Sequence, residues 1–255
     1  GTTLTRVYRH VNNASWYSWQ NGRDQIVTDN NGFWYAAPSN YYGPRMYSTD
    51  NGLTWTGSDY FGNAGYTQSV CLGDTAGYVF NSNSGGPLYG VNRSSNYGAS
   101  FTRIRTSSYF NAMHIANGVM CMALSNNIYR STDYNSSFNV THLGTFGSTS
   151  INRFRTDGSG TWVASGSGYV STDNGATWSA PNNAPSNIAL LTLEYVNGYF
   201  ICFEDEYYAY SSNGTDWTFV STGLGSNALP SHCGFNGTTF YGFNVSTGLT
   251  IKITV

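Results

Sequence analysis

Short hydrophobic runs, each entered through a turn glycine, recur along this chain at a nearly constant interval. They open at Gly32-Phe33-Trp34-Tyr35, Gly77-Tyr78-Val79-Phe80, Gly118-Val119-Met120-Cys121, Gly160-Thr161-Trp162-Val163, Gly198-Tyr199-Phe200-Ile201 and Gly237-Thr238-Thr239-Phe240. The six glycines stand 45, 41, 42, 38 and 39 residues apart. A period of this size with turn residues between short apolar runs points to a repeat of small β units. Leu4-Thr5-Arg6-Val7-Tyr8 and Leu249 to Val255 add two stretches of apolar–polar alternation at the two ends, strict in the second. Such alternation is the mark of a half-buried strand. Helical periodicity is weak; its best stretch, Ile188 to Val196, reads equally well as a strand.

A turn motif punctuates the same repeat. Its full copies are Ser48-Thr49-Asp50-Asn51-Gly52-Leu53-Thr54-Trp55 and Ser171-Thr172-Asp173-Asn174-Gly175-Ala176-Thr177-Trp178. Looser copies begin at Ser94 (with Asn96, Gly98, Ser100 and Phe101) and at Ser131 (with Asp133, Ser137 and Phe138). A copy shorter by one residue runs from Ser211 through Asn213, Gly214 and Trp217. Asn-Gly supplies the positive φ angles of tight turns. The Asp or Asn oxygen accepts backbone N–H groups across the turn, and the Ser hydroxyl adds a weaker bond. The closing Trp or Phe is a plate that covers the turn and packs between units. Each unit thus reads as strand, tight turn, strand, loop, strand, boxed turn, strand. The expectation is an all-β, six-bladed β-propeller of four-stranded antiparallel blades, a single domain over residues 1–255. The sixth unit has no boxed turn. Its outer strand is expected from residues 2–10, so that the last blade (228–255 plus 2–10) closes the ring and leaves no open sheet edge.

The boxed turn resembles the Asp box, the bacterial neuraminidase repeat of sialidases and many other β-propellers. In that family the box joins the third and fourth strands of a blade, on the face opposite the ligand site. The resemblance implies a propeller without implying sialidase activity, and it makes Ser48, Asp50, Gly52, Trp55, Asn96, Asp133, Ser171, Asp173, Gly175, Trp178, Asn213 and Trp217 structural. A sialidase also needs three arginines to clamp the substrate carboxylate. The family's first arginine lies in an Arg-Ile-Pro motif ahead of the first box, whereas this chain has Pro44-Arg45-Met46 there and no Arg-Ile-Pro anywhere. Arg103, Arg105, Arg153 and Arg155 are expected on or near inner strands, which leaves a cationic centre open.

Composition narrows the partners. Only 9% of residues are charged, the net charge is −2, and Lys252 is the only lysine, which argues against nucleic acid. No long apolar run or leader segment is present, so membrane insertion is not expected. With 21 Tyr and 7 Trp in a neutral, Gly-rich chain, the surface is suited to recognition by rigid rings and adaptable polar groups; the same residues also suit β strands and turns. Cys71, Cys121, Cys202 and Cys233 fall in predicted strands without CxxC spacing, which favours buried thiols over zinc or disulfides. No metal and no cofactor are called for.

The candidate sites lie in loops. Pro38 to Arg45 carries Tyr41 and Tyr42, Asn81 to Tyr89 is rich in Ser and Gly, Asn12 to Arg23 carries Trp16, Tyr17 and Trp19, and Gly57 to Tyr66 carries Tyr60. Trp16, Trp19, Tyr41, Tyr42, Arg45, Tyr60 and Tyr207 are the expected ligand-binding residues, either as an aromatic groove that stacks on sugars or as anchors for long loops. Glu204-Asp205-Glu206 is the one acidic cluster. Glu204 and Glu206 could act as acid and base in a glycosidase, ligate calcium, or stand in a solvated loop. His114 and His232 are channel-facing or core residues. The expected function is non-catalytic recognition of a cell-surface glycan or receptor, outside the cell or on a virion. Low charge and Asn/Gly/Tyr-rich repeats also resemble phage tail-fibre heads and propeller lectins, which implies a possible oligomer or fusion to a longer fibre. The alternatives are a sialidase-like glycoside hydrolase and a protein-binding scaffold.

Overall fold

A computed structural model describes residues 26–29, 31–37, 45–57, 67–86, 88–106, 108–166, 168–183, 192–204, 206–223, 232–235, 239–243 and 250–254; for Glu204 and most of the last three strands it describes the backbone alone. All the regular structure in these segments is β. The strands form six antiparallel sheets among the described residues, and within each sheet the spatial order follows the chain. The first sheet comprises Ile26–Thr28, Trp34–Ala36, Met46–Ser48 and Thr56–Gly57, and the second Thr67–Leu72, Val79–Asn83, Gly90–Ser94 and Thr102–Arg105. The third comprises Ala112–Ala116, Val119–Leu124, Asn127–Ser131 and Thr141–Thr145. Phe154–Thr156, Trp162–Ala164 and Val170–Ser171 make the fourth, whose outer strand is reduced to a bridge between Val170 and Ser179. The fifth has Glu194–Val196, Tyr199–Glu204, Tyr207–Ser211 and Thr218–Ser221, and the sixth His232–Phe235, Thr239–Phe243 and Thr250–Thr254.

Every glycine-led run of the sequence is therefore a second strand. The strand expected at residues 2–10 lies outside the described residues. Arg103 and Arg105 depart from expectation: they stand on Thr102–Arg105, a fourth strand, because they directly follow a boxed turn.

The described residues gather in two compact units, 26–110 and 111–254. In the first unit, the first strands of the two sheets adjoin. The seam between those sheets holds Phe33, Tyr35, Ala37, Val70 and Val79, with Phe101 against them. In the second unit, Phe154–Thr156 adjoins both Ala112–Ala116 and Glu194–Val196. Val119, Cys121, Ala123 and Ile128 of the third sheet pack on Ile151, Phe154, Trp162 and Ala164. Val163 and Val170 of the fourth pack on Leu193, Phe200, Cys202, Ala209 and Trp217. Strand alternation explains the division of labour: Trp162 and Ala164 face one neighbour while Val163 faces the other.

All five boxed turns join a third strand to the segment that follows it, and they share one bonding scheme. In the best copies the serine hydroxyl donates to the Asp (Ser48 to Asp50 and Ser171 to Asp173, both 2.7 Å) and accepts the glycine N–H (Gly52 and Gly175, both 2.9 Å). Thr54 and Thr177 each donate a backbone N–H at 2.8 Å and a hydroxyl at 2.6 Å to the two carboxylate oxygens. The Trp indole closes the turn on the glycine carbonyl, at 3.0 Å for Trp55 and 3.2 Å for Trp178. Asn96 and Asn213 serve in place of Asp, accepting from Ser94 at 2.8 Å and from Ser211 at 3.0 Å. In the Ser131 copy, Asn139 makes both bonds to Asp133, at 2.7 and 2.6 Å.

Beyond a positive φ, glycine is required here by close approach to the preceding sheet. A Cβ on Gly98 would lie 2.5 Å from the Tyr35 ring, on Gly175 2.6 Å from Cys121 Sγ, and on Gly214 2.7 Å from Val163. The turn is thus a fastener between sheets as well as a link between strands.

Candidate functional site

The box end of each sheet is electrostatically settled. Thr54, through its hydroxyl and amide, and the Ser48 hydroxyl hold the Asp50 carboxyl down to about 2. Burial works against ionisation at Asp173, but the Thr177 and Ser171 bonds outweigh it and hold that carboxyl at about 2 as well. Carboxylates this stable and this fully bonded are poor proton donors, so the repeated Asp belongs to the framework.

The opposite end carries the second-to-third connections, where the sequence places its candidates. Trp16, Trp19, Tyr41, Tyr42, Tyr60, Asp205 and the Glu204 side chain lie outside the described residues. Tyr207 is 43% exposed at the start of a third strand. Ser221 is its cross-strand partner, and Phe219 stands opposite Ala209. Tyr207 and Phe219 therefore share one flank of the fifth sheet as a diagonal pair, a spacing of about 7–8 Å in antiparallel sheets. Phe219 is 41% exposed. Glu206 is exposed beside them, and its carbonyl accepts the backbone N–H (2.8 Å) and the hydroxyl (2.9 Å) of Thr222, which pins the end of the sheet. Phe219 was missed in the sequence; the signal is an aromatic at an outward position immediately after a boxed turn.

Arg45, expected among the ligand-binding groups, is instead buried in the seam of the first unit, its guanidinium 5.1 Å over the Phe101 ring. Burial lowers its pKa. Tyr35 beside it is fully buried, and burial pushes its phenol up to about 12 against the favourable charge of Arg45. From the second sheet Asn81, Asn83 and Asn92 face the same seam. Asn83 and Asn92 donate to Asn81 Oδ1 at 3.3 and 3.0 Å, Asn92 also donates to the Leu88 carbonyl at 2.9 Å, and Thr67 donates to Asn83 at 3.2 Å. The Tyr35 hydroxyl, Asn81 Nδ2 and Asn92 Oδ1 make no hydrogen bond of normal geometry.

On the inner strands of the second unit a different cluster forms. Glu194 accepts from Arg153 Nη1 at 2.8 Å, from Arg155 Nε at 2.7 Å and from Arg155 Nη2 at 3.0 Å. Arg155 also donates to the Phe154 carbonyl at 2.8 Å. Arg153 and Arg155 stand where the sequence placed them, at the start of and on an inner strand. Their shared carboxylate, the one glutamate outside the acidic cluster, was not foreseen. His114, on the inner strand of the third sheet, meets the Trp162 ring edge to face at 5.6 Å; the His232 side chain lies outside the described residues. Among the described residues no group of three or more His, Cys, Asp or Glu is placed to hold a metal. Among the described residues no helix is long and apolar enough to cross a membrane. Cys71, Cys121 and Cys202 are buried thiols, and burial pushes that of Cys121 up to about 12.

No protein-family model and no curated protein matches this chain. Solved structures do. YCF48 from Cyanidioschyzon merolae is 13% identical over 89% of this chain and 81% of its own, with a TM-score of 0.60. The Niastella koreensis GH74 enzyme is 14% identical over 91% of this chain and 36% of its own, at 0.62. The streptogramin B lyase structure is 10% identical over 92% and 83%, at 0.65. At such identities the likeness carries the fold alone, and the fold it carries is a β-propeller.

Proposed function

We propose that this chain is a non-catalytic recognition module, a ring of six blades, five of them with an Asp box, closed by residues 2–10, that binds a cell-surface glycan or receptor. The observation that carries this reading is the exposed pair Tyr207 and Phe219, diagonal neighbours on one flank of the fifth sheet. Two rings on one flank, with Ser221 opposite Tyr207 and Glu206 next to it in the chain, offer stacking and hydrogen bonding without a strong field. Trp16, Trp19, Tyr41, Tyr42 and Tyr60 extend the aromatic surface in this reading. The arginines of the inner strands support it from the other side: Arg153 and Arg155 are committed to Glu194, so they are a poor preformed clamp for a substrate carboxylate. The composition fits a head domain on a virion or another extracellular adhesin, fused to a longer fibre or assembled as an oligomer.

Structures of similar fold include YCF48 bound to a D1 peptide and a nidogen–laminin complex, so a protein receptor is as natural an occupant of the face as a sugar. A glycan array probed with the wild-type chain and with Tyr207→Ala and Phe219→Ala is the test. Binding lost in both variants at unchanged melting temperature supports the lectin reading. An empty array with a receptor protein captured from host envelopes moves the reading to a protein ligand. Turnover of a fluorogenic sialoside or polysaccharide, abolished by Glu206→Gln, would replace it with the hydrolase.

A further inference from the structure

Asn-Gly pairs recur in this chain as turn formers, and the structure treats their amides unequally. In the boxed turns the glycine N–H is taken: Gly52 donates to Ser48 Oγ at 2.9 Å, Gly175 to Ser171 Oγ at 2.9 Å and Gly214 to Ser211 Oγ at 2.8 Å. Some of the asparagine side chains are held as well. Asn174 accepts from the Trp162 indole at 3.0 Å and donates to the Asn117 carbonyl at 3.3 Å. Asn213 accepts from two backbone amides and donates to Asp216 at 2.9 Å. In the hairpin of the third sheet, the Asn117 amide donates to the Gly158 carbonyl at 2.7 Å. At Asn31-Gly32 the glycine is buried.

The hairpin of the fifth sheet is different. Asn197 and Gly198 link Val196 to its partner Tyr199 as a two-residue turn, both with positive φ (47° and 86°) and both exposed. Among the described residues neither the Asn197 amide nor the Gly198 N–H has a hydrogen-bond partner, and a Cβ on Gly198 would meet nothing within 4 Å. Backbone conformation does not distinguish this pair, since Asn51, Asn117 and Asn174 have φ of 60°, 52° and 57°. Hydrogen bonding sets it apart from the boxed pairs and from Asn117, and burial of the glycine sets it apart from Asn31-Gly32.

We infer that Asn197 is a site of spontaneous modification, the position where this chain deamidates first among its described Asn-Gly pairs. The Gly198 backbone nitrogen attacks Asn197 Cγ, the C–N bond to the side-chain amide breaks, and ammonia leaves with the proton of the Gly198 N–H. Water then opens the cyclic succinimide at either carbonyl, giving aspartate or isoaspartate. The reaction needs the Gly198 nitrogen unencumbered and the Asn197 side chain free to turn toward it. Each boxed glycine must first give up its bond to serine, a step that slows attack by roughly tenfold for a hydrogen bond of ordinary net strength. Antiparallel order puts this hairpin at the same end of the sheet as the boxed turns, so the new negative charge arises at the end opposite Tyr207.

The test is ageing of the intact chain at mildly alkaline pH, followed by digestion, peptide mass spectrometry and enzymatic labelling of isoaspartate. The expected result is modification at Asn197 roughly tenfold ahead of Asn51, Asn174 and Asn213, with isoaspartate in the product. Ser171→Ala, which frees the Gly175 N–H, should raise the rate at Asn174 while leaving Asn197 unchanged. Equal rates at the hairpin and the boxes would overturn the inference. So would an unmodified Asn197 under conditions where the denatured chain deamidates there.

Discussion

The seam of the first unit and that between the third and fourth sheets use the same fastener on opposite chemistry. In one, Gly98 of a boxed turn leans on Tyr35, and the filling beside that ring is Arg45 and three asparagines. In the other, Gly175 leans on Cys121, and the filling is Trp162, Ile128, Phe154 and small apolar residues. The polar seam keeps its turn neutral, with Asn96 where the apolar seam has Asp173. The turn therefore does not depend on what it clamps. Its own side chains satisfy it, so seam composition is left to vary.

The largest difference between the seams should appear on truncating their centres. Trp162→Ala removes a fully buried ring and its bond to Asn174, and is expected to cost about 3–5 kcal/mol in denaturant unfolding. A loss below about 1 kcal/mol would mean that burial is not what holds this seam.

The fastener itself is tested by alanine at the turn glycines. Among the described residues Gly52→Ala meets only the Trp55 ring, at 3.8 Å, and should cost about 1–2 kcal/mol from its left-handed backbone. Gly98→Ala and Gly175→Ala add overlap with the neighbouring sheet and should cost about 2–4 kcal/mol. Equal losses at all three positions would reduce the boxed turn to a local device.

The turns should also part company in acid. Asp173 is held at about 2, below the ordinary value of about 3.9. Its contribution is therefore complete above the ordinary value and fades as the pH falls toward the depressed one. Asp173→Asn, which copies the neutral turn of the other seam, should flatten the acid limb of a melting-temperature profile between those values. A limb that keeps its slope would show that other carboxylates govern it.

The smallest effect belongs to Tyr35→Phe. Its hydroxyl is buried without a bond of normal geometry, so its removal should change stability by less than about 1 kcal/mol and in the favourable direction. A loss of about 2 kcal/mol or more would show that the phenol is bonded within the polar seam after all.

What was legible in the sequence is what is local. The boxed turns bond residue to residue within six positions, and the glycine-led runs carry the strand period, so both can be read from neighbours along the chain. Arg103 and Arg105 were assigned to inner strands although their place after a boxed turn already marks an outer one. Long-range pairing left no such trace. Glu194 meets Arg153 and Arg155 across 41 and 39 residues of chain, and no spacing rule connects them. Arg45 sits at the end of a Tyr-rich loop and looks like a surface group, yet the ring of Phe101 and the phenol of Tyr35 give it an interior place. Phe219 carries no mark in the sequence beyond its place after a boxed turn, yet it stands 41% exposed.

Because the boxed turns of Gly98, Gly175 and Gly214 each grip the sheet before them, cohesion at these joints is transmitted like the couplings of a train. Damage at one coupling weakens that joint and leaves the hold of the next pair intact. Divergence can then rewrite the contents of one seam, from indole to asparagine, while the hook that closes it goes on being inherited unchanged.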